Sequence, residues 1–275
     1  MSCIVIKIGG GEGIDPCALA PEVAGLVRAG ERVVLVHGGS HETNQLAEAL
    51  GHPTRTITSP SGHTSRRTDR PTLEIFMSVY CGRINKSVVE NLRREGVDAV
   101  GLSGIDAGVW IGRRKEAIRS IEDGRTVIIR DDLSGRVESV NGAFLNSLLE
   151  AGLTPVLTPP AVTPDGVAIN VDADRAAAAT AAALGARELL LLSNVRGLLR
   201  DPADPGSLIG RVTPASMDQA ESAARGRMKN KVLAAQEAIA AGVGRVVIGS
   251  AGGQGCLERA LAGEGTVFAG EGVAV

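Results

Sequence analysis

Apolar positions along the chain follow two patterns. Six short runs, Cys3–Ile8, Arg32–His37, Ala99–Leu102, Thr154–Leu157, Leu189–Leu192 and Arg245–Ile248, are rich in β-branched and aliphatic residues. Their length and composition are those of buried strands. Longer stretches with helical spacing separate most of them. The alternation predicts an α/β fold with a mainly parallel central sheet flanked by helices on both faces. Ligands in such sheets collect at the carboxyl ends of the strands. Glycine clusters occur there, at Gly9–Gly11, Gly38–Gly39, Gly101–Gly104, Gly197 and Gly249–Gly253.

The segments between strands add detail. His41 to Leu50 reads as a helix stopped by Gly51, with Ser40 placed to cap it. Thr64 to Glu95 holds a long helix with Asp69 as its cap. Leu73, Phe76, Met77, Tyr80, Ile84, Val88 and Leu92 form one apolar stripe on it, which is core or a subunit interface. Val109 to Val140 carries hairpin signals at Asp123-Gly124 and Ser134-Gly135 and predicts a β-hairpin insertion. Asn170 to Leu184 reads as an alanine-rich helix, with Asn170 and Asp174 on one face. The stretch beginning at Gly226 places Met228, Lys229 and Lys231 ahead of a helix that ends at Gly242.

Composition narrows the function classes. The chain has 275 residues, of which 44% are hydrophobic and 2% aromatic, so the core is aliphatic. A formal net charge of −2 makes nucleic acid an unexpected partner. Cys3, Cys17, Cys81 and Cys256 lack the spacing of a zinc site or disulfide framework and fit a reducing, cytoplasmic setting. No metal-ligand spacing is found among the histidines. No apolar run reaches membrane-span length and no secretory leader pattern is visible, so a membrane partner is not expected.

Candidate chemistry begins at Lys7. A lysine at the end of a buried strand either meets an anion or snorkels to solvent. The glycines beside it let backbone approach a ligand and turn N–H groups toward an anion. His37-Gly38-Gly39-Ser40 repeats the arrangement ahead of a helix N-terminus; His37 itself is a ligand or packs locally. Arg66 and Arg67 suit a carboxylate or phosphate, or are solvated. Arg113, Arg114, Lys115 and Arg119 give the predicted insertion a positive excess.

These pieces occur in a set order: KIGG from Lys7, HGG from His37, RRTD from Arg66, NVDAD from Asn170, LSNVRGLL from Leu192 and GRMKNK from Gly226. With that order the chain resembles the amino-acid kinase family, near the N-acetylglutamate kinase branch. It departs from that branch in reading HGGSHETN where HGGGP is usual. RTDRPTLEIF, VYCGRINK and GRRK look like the LysW-aminoadipate kinases, which act on a substrate attached to a small acidic amino-group carrier protein. The resemblance implies an ATP-dependent carboxylate kinase that makes an acyl phosphate in lysine or arginine biosynthesis, on carried aminoadipate or glutamate. It implies catalytic roles for Lys7, Lys231 and Asp174. It gives the acceptor to Gly38, Gly39, Arg66 and Asn170. ATP, with Mg2+, falls to Gly9, Gly10, Ser193, Asn194, Val195, Gly197, Leu198, Met228 and Lys229. Arg113, Arg114, Lys115 and Arg119 would dock the carrier. Residues 1–185 would form the acceptor lobe and 186–275 the ATP lobe of one continuous domain, in a homodimer. A Rossmann dehydrogenase is disfavoured because the second strand ends in His37-Gly38 and not in an acid, and a P-loop kinase because GxxxxGK[ST] is absent. N-acetylglutamate kinase and a non-catalytic amino-acid sensor are the other readings. Sensors tend to lose the lysines that this chain keeps.

Overall fold

The computed structural model describes residues 3–60, 64–122 and 125–270. All six predicted strands form, extended by one or two residues at some ends, and two more join them in one eight-stranded sheet. Its order is Arg211–Val212, Thr266–Ala269, Arg245–Ser250, Glu188–Ser193, Cys3–Ile8, Arg32–His37, Thr154–Thr158 and Ala99–Ser103. Every neighbouring pair is parallel except Arg245–Ser250 with Thr266–Ala269.

Cys3–Ile8 is buried on both sides, as a central parallel strand must be. Its alternation divides the core. Cys3 and Val5 pack into one apolar cluster with the helices Ala173–Ala183 and Met228–Ala240, while Ile4, Ile6 and Ile8 pack into the other. Ala176, Ala177, Ala178, Ala181, Ala234, Ala235 and Ala238 are buried on the first face. Such small side chains bring both helices close to the sheet. Period two places Lys7 on that same face, toward the N-termini of those two helices. The sheet order reverses at Cys3–Ile8, whose neighbours are Arg32–His37 and Glu188–Ser193. A crevice outside the carboxyl ends forms at such a point.

Several local expectations need correction. The stretch from Thr64 to Glu95 is not one helix. Thr64–Arg67 is a strand paired with Arg55–Thr58. An α-helix, Arg70–Met77, then starts under its Asp69 cap, whose carboxylate accepts from the Thr72 N–H at 2.9 Å. A π turn, Ser78–Ile84, and a second α-helix, Asn85–Arg94, follow. Its apolar stripe is core: Leu73, Phe76, Tyr80, Ile84, Val88 and Leu92 are buried within the chain, which removes the stripe as a dimer face. Ser40 is the first residue of the helix Ser40–Ala49 and not its cap. The helix Ala173–Ala183 is capped by Asp172, so Asn170 lies outside it and shares no helical face with Asp174. Met228, Lys229 and Lys231 lie in the first turns of their helix, not ahead of it.

The insertion is two structures, not one. Ile118–Glu122 and Arg125–Ile129 form an antiparallel pair around Asp123-Gly124, which lies outside the described residues. Ser134-Gly135 is no hairpin turn. Gly135–Val140 pairs with Trp110–Arg114 in a separate four-stranded sheet with Ala161–Val162 and Ala168–Ile169. Among the described residues no helix is long and apolar enough to cross a membrane.

Candidate active site

A cavity of about 1050 Å³ opens over the carboxyl ends of the central strands. At its floor Lys7 Nζ lies 2.6 Å from Asp174 Oδ1. Lys231 Nζ donates to the same carboxylate at 3.0 Å and 2.9 Å. All three residues are buried. Lys7 comes from the central strand, Asp174 from the second residue of one helix and Lys231 from the fourth residue of the other.

The cluster's electrostatics follow from that burial. Burial alone would raise the Asp174 carboxyl, but Lys231 and Lys7 hold it far below the usual carboxylate range. Burial opposes the charge on Lys7, yet Asp174 outweighs it and the ammonium is held above its ordinary value. For Lys231 burial, aided by repulsion from Lys7, outweighs Asp174 and moves the group down. The charged cluster carries a net +1 with little water to screen it, so it favours an incoming anion.

Two glycine turns form the wall above the cluster. A Cβ on Gly10 would sit 2.0 Å from the Gly39 nitrogen, so the two turns touch backbone to backbone. Ser40 Oγ and the His41 N–H both donate to the Gly10 carbonyl, at 2.9 Å and 2.8 Å, and tie the turns together. The Gly9 N–H donates to the Leu192 carbonyl at 2.8 Å. Gly9 therefore lines the cavity without offering the N–H expected of it. Gly10, Gly38 and Gly39 also line it.

At one end the lining includes Arg55, Thr56, Ser65, Arg66, Ser134 and Asn170. Arg66 Nη2 donates to the Ser40 carbonyl at 3.0 Å and to Asn44 Oδ1 at 2.7 Å, and burial pushes its guanidinium down. Asn170 Nδ2 donates to Thr68 Oγ1 at 3.0 Å. Buried Asp132 joins these segments by accepting from the Thr68 and Ser134 N–H groups at 2.8 Å and 2.7 Å. The other end is lined by Ser193, Asn194, Val195, Gly197, Leu198 and Met228. Ser193 Oγ is buried without a hydrogen-bond partner, and Gly197 has φ 153°, a value side chains rarely adopt. Lys229 is exposed and outside the cavity lining; one position further on, Asn230 points in and donates to Asp172 Oδ2 at 2.7 Å.

The four cations assigned to docking separate. Arg113 is exposed, as is Arg119. Lys115 lines the cavity. Arg114 turns inward and donates to the Asp132 and Arg130 carbonyls at 2.8 Å and 2.6 Å. It braces the segment and leaves the surface set. Sequence reasoning missed Tyr80, Arg136, Asp172, Arg225, Arg227 and Asn230, all of which line the cavity. Helical spacing assigned Tyr80 to the apolar stripe; a tyrosine among aliphatic positions was the available signal.

This arrangement of a buried two-lysine, one-aspartate cluster under two glycine turns can hold the phosphates of a nucleotide against a second anion. The chain belongs to the amino acid kinase family, whose model matches residues 2–250. It is 55% identical to the LysW-aminoadipate kinase of Deinococcus radiodurans over 97% of this chain and 91% of that protein. With the LysW-aminoadipate kinase of Thermus thermophilus it shares 50% identity over 96% of this chain and 99% of that one. Among solved structures, an N-acetylglutamate synthase from Neisseria gonorrhoeae superposes with a TM-score of 0.79 at 25% identity, over 99% of this chain and 60% of the other.

Proposed function

We propose that this protein transfers the γ-phosphoryl group of ATP to the side-chain carboxylate of α-aminoadipate, or of glutamate, carried by a small acidic amino-group carrier protein. The product is an acyl phosphate, made in the cytoplasm for lysine or arginine synthesis. The observation that carries the reaction type is Asp174 holding two buried lysines together at the floor of the cavity. The LysW-aminoadipate kinases at 50% and 55% identity support the choice of acceptor.

The reaction brings two anions together, and its transition state spreads charge over phosphoryl oxygens. Positioning and electrostatic stabilisation then supply the catalysis. Lys7 and Lys231 neutralise the transferring group, and Asp174 fixes both ammonium groups in place. The Gly10 and Gly39 peptides face the phosphates. No general base is required, because the acceptor carboxylate is already ionised at neutral pH. Arg66 and Asn170 take the acceptor's α-carboxylate and amide. The Ser193–Leu198 loop and Met228 take the nucleotide, so residues 1–185 handle the acceptor and 186–275 the ATP. Magnesium arrives with ATP as part of the substrate. Asp172 and Asp174 are the acids lining the cavity, and both are engaged by protein donors.

The test is turnover of magnesium–ATP with three acceptors: carrier-bound aminoadipate, carrier-bound glutamate and free N-acetylglutamate. Hydroxylamine trapping reports the acyl phosphate. Trapped hydroxamate from a carrier-bound acceptor supports the reading. Efficient turnover of free N-acetylglutamate with neither carrier form overturns it in favour of an N-acetylglutamate kinase. ATP binding without turnover of any acceptor points to a sensor.

A further inference from the structure

His37 is buried, ends the second strand, and takes no part in the reaction as described above. Its surroundings fix its protonation pattern. Asn85 Oδ1 accepts from Lys86 Nζ at 3.2 Å, and Asn85 Nδ2 donates to the Val156 carbonyl at 3.0 Å. These two contacts orient the Asn85 amide. The atom it presents to His37 Nε2, at 3.1 Å, is therefore the donor Nδ2. A donor there requires a bare, accepting Nε2. The neutral imidazole carries its proton on Nδ1, which lies 3.1 Å from the Gly38 carbonyl oxygen and donates to it. Burial, with Lys7 and Lys86 nearby, lowers the ring to about 4, so it stays neutral.

The Gly38 carbonyl and the Gly39 N–H belong to one planar trans peptide and point in opposite directions. Drawing the carbonyl toward His37 turns the Gly39 N–H away from the strand. The Gly39 N–H faces the Tyr80 hydroxyl in this structure. We propose that His37, held in its Nδ1–H form by Asn85, is a positioning residue that fixes the Gly38–Gly39 peptide, so that its N–H passes from the Tyr80 hydroxyl to the transferring phosphoryl group when substrate binds. This rests on the proposed reaction for the identity of the anion and adds to it the device that orients the donor.

The π turn Ser78–Ile84 accounts for Asn85 being available. Residues five apart in an α-helix diverge by about 140°, whereas a π turn closes on i→i+5. Tyr80 and Asn85 are five apart. Both reach the second glycine turn: the Tyr80 ring comes within 2.9 Å of an ideal Cβ on Gly39, and Asn85 meets His37.

Two substitutions separate positioning from packing. An asparagine amide can reach the place of the histidine Nδ1, and a glutamine amide that of Nε2. His37→Asn keeps a donor for the Gly38 carbonyl; His37→Gln keeps a partner for Asn85 and loses that donor. We expect kcat of His37→Gln to fall at least about tenfold below that of His37→Asn, a part of the roughly 10²–10³ that full loss of one transition-state donor costs. KM for the acceptor should change less than threefold in both. Equal kcat values, or the reverse ranking, overturn the proposal. Nitrogen-15 spectra of histidine-labelled wild-type protein at pH 7 give a readout independent of variant folding. A protonated Nδ1 and bare Nε2 at His37 are expected; the opposite tautomer refutes the inference. Absence of wild-type turnover with every acceptor would strike the proposed reaction and leave the tautomer standing.

Discussion

Asp174→Asn isolates the charge that holds the two lysines together. The substitution keeps the side chain's shape and leaves Lys7 and Lys231 buried without a counter-ion. Both ammonium groups lie within 3.0 Å of the carboxylate, so they sit at a separation on the order of 4 Å. At an effective dielectric constant of about 20, two like charges that close repel by about 4 kcal/mol. Added to the burial that already opposes charge there, that outweighs the roughly 5 kcal/mol an ordinary lysine needs to give up its proton at pH 7. Lys231 is the one to do so, because burial and Lys7 already lower it. The variant then carries one ammonium where the wild type has two ammoniums and a carboxylate. Its net charge stays +1, so nucleotide affinity should stay within about threefold. Catalysis loses one aligned cation, worth roughly 10²–10³ in kcat. Removing one partner of a buried ion pair also costs about 3–5 kcal/mol of stability, so activity is measured well below the variant's melting temperature. The assay is initial-rate hydroxamate formation at saturating acceptor with ATP varied. A normal kcat would refute the assignment of Asp174 to the lysines' alignment, and a rise in the KM for ATP with kcat unchanged would reassign it to nucleotide binding.

Lys7→Ala and Lys231→Ala should each lower kcat by roughly two to three orders of magnitude, with ATP still protecting the protein in a thermal-shift assay; normal turnover by either variant removes that lysine from the mechanism. His37 makes stability depend on pH. Its native value of about 4 lies below the ordinary 6.5, so below pH 6.5 the unfolded chain binds a proton that the native ring refuses. Its contribution is complete above about pH 6.5 and falls by about 3 kcal/mol as the pH drops toward 4, at about 1.4 kcal/mol per pH unit. Urea unfolding at pH 7 and pH 4.5 should show a smaller loss in His37→Asn than in the wild type, and equal losses refute the assignment. Reversing the exposed Arg113 to Glu should raise KM for the carrier-bound acceptor severalfold and flatten its salt dependence with kcat unchanged. Arg114→Glu should lower the melting temperature instead, because its carbonyl contacts are lost, and matching phenotypes for the two would restore a four-residue docking patch.

The central strands were legible because each depends on a local pattern, whereas the lysine–aspartate cluster was legible only through the family motifs that its members sit in. Cys3–Ile8 reads as a strand from its side chains alone, and Lys7 stands out as a charge where burial is otherwise complete. Asp174 and Lys231 lie in different helices, and their convergence on Lys7 is tertiary. The family motifs brought them together on paper, since no periodicity relates them. The expectations that failed depended on contacts remote in sequence. Asn170 borders a helix by composition, yet its backbone pairs with Leu133 and Gly135, which pulls it out of helical geometry. Ser40 has a cap's identity, but the neighbouring glycine turn offers its hydroxyl a carbonyl and the helix begins one residue earlier. Thr266–Ala269 is a short buried run near the end of the chain, and it becomes a strand by pairing with Arg245–Ser250 in the opposite direction.

The π turn shows most directly why a periodic reading reaches its limit at a site. The stripe from Leu73 to Leu92 is apolar enough to predict a continuous helix, and almost all of it is buried. A repeat of 3.6 residues would send Tyr80 and Asn85 to different sides. One widened turn brings the ring of one and the amide of the other onto the Gly38–Gly39 turn. Weakened helical hydrogen bonding is unfavourable in the middle of a core helix. It is offset here because Asn85 satisfies His37 and the Val156 carbonyl at once, in a region where an unpaired polar group costs about 1–3 kcal/mol. The departure from ideal helix is thus stabilised by the same contacts that orient the glycine turn. Straightening the turn by deleting one residue of Ser78–Ile84 would remove both together.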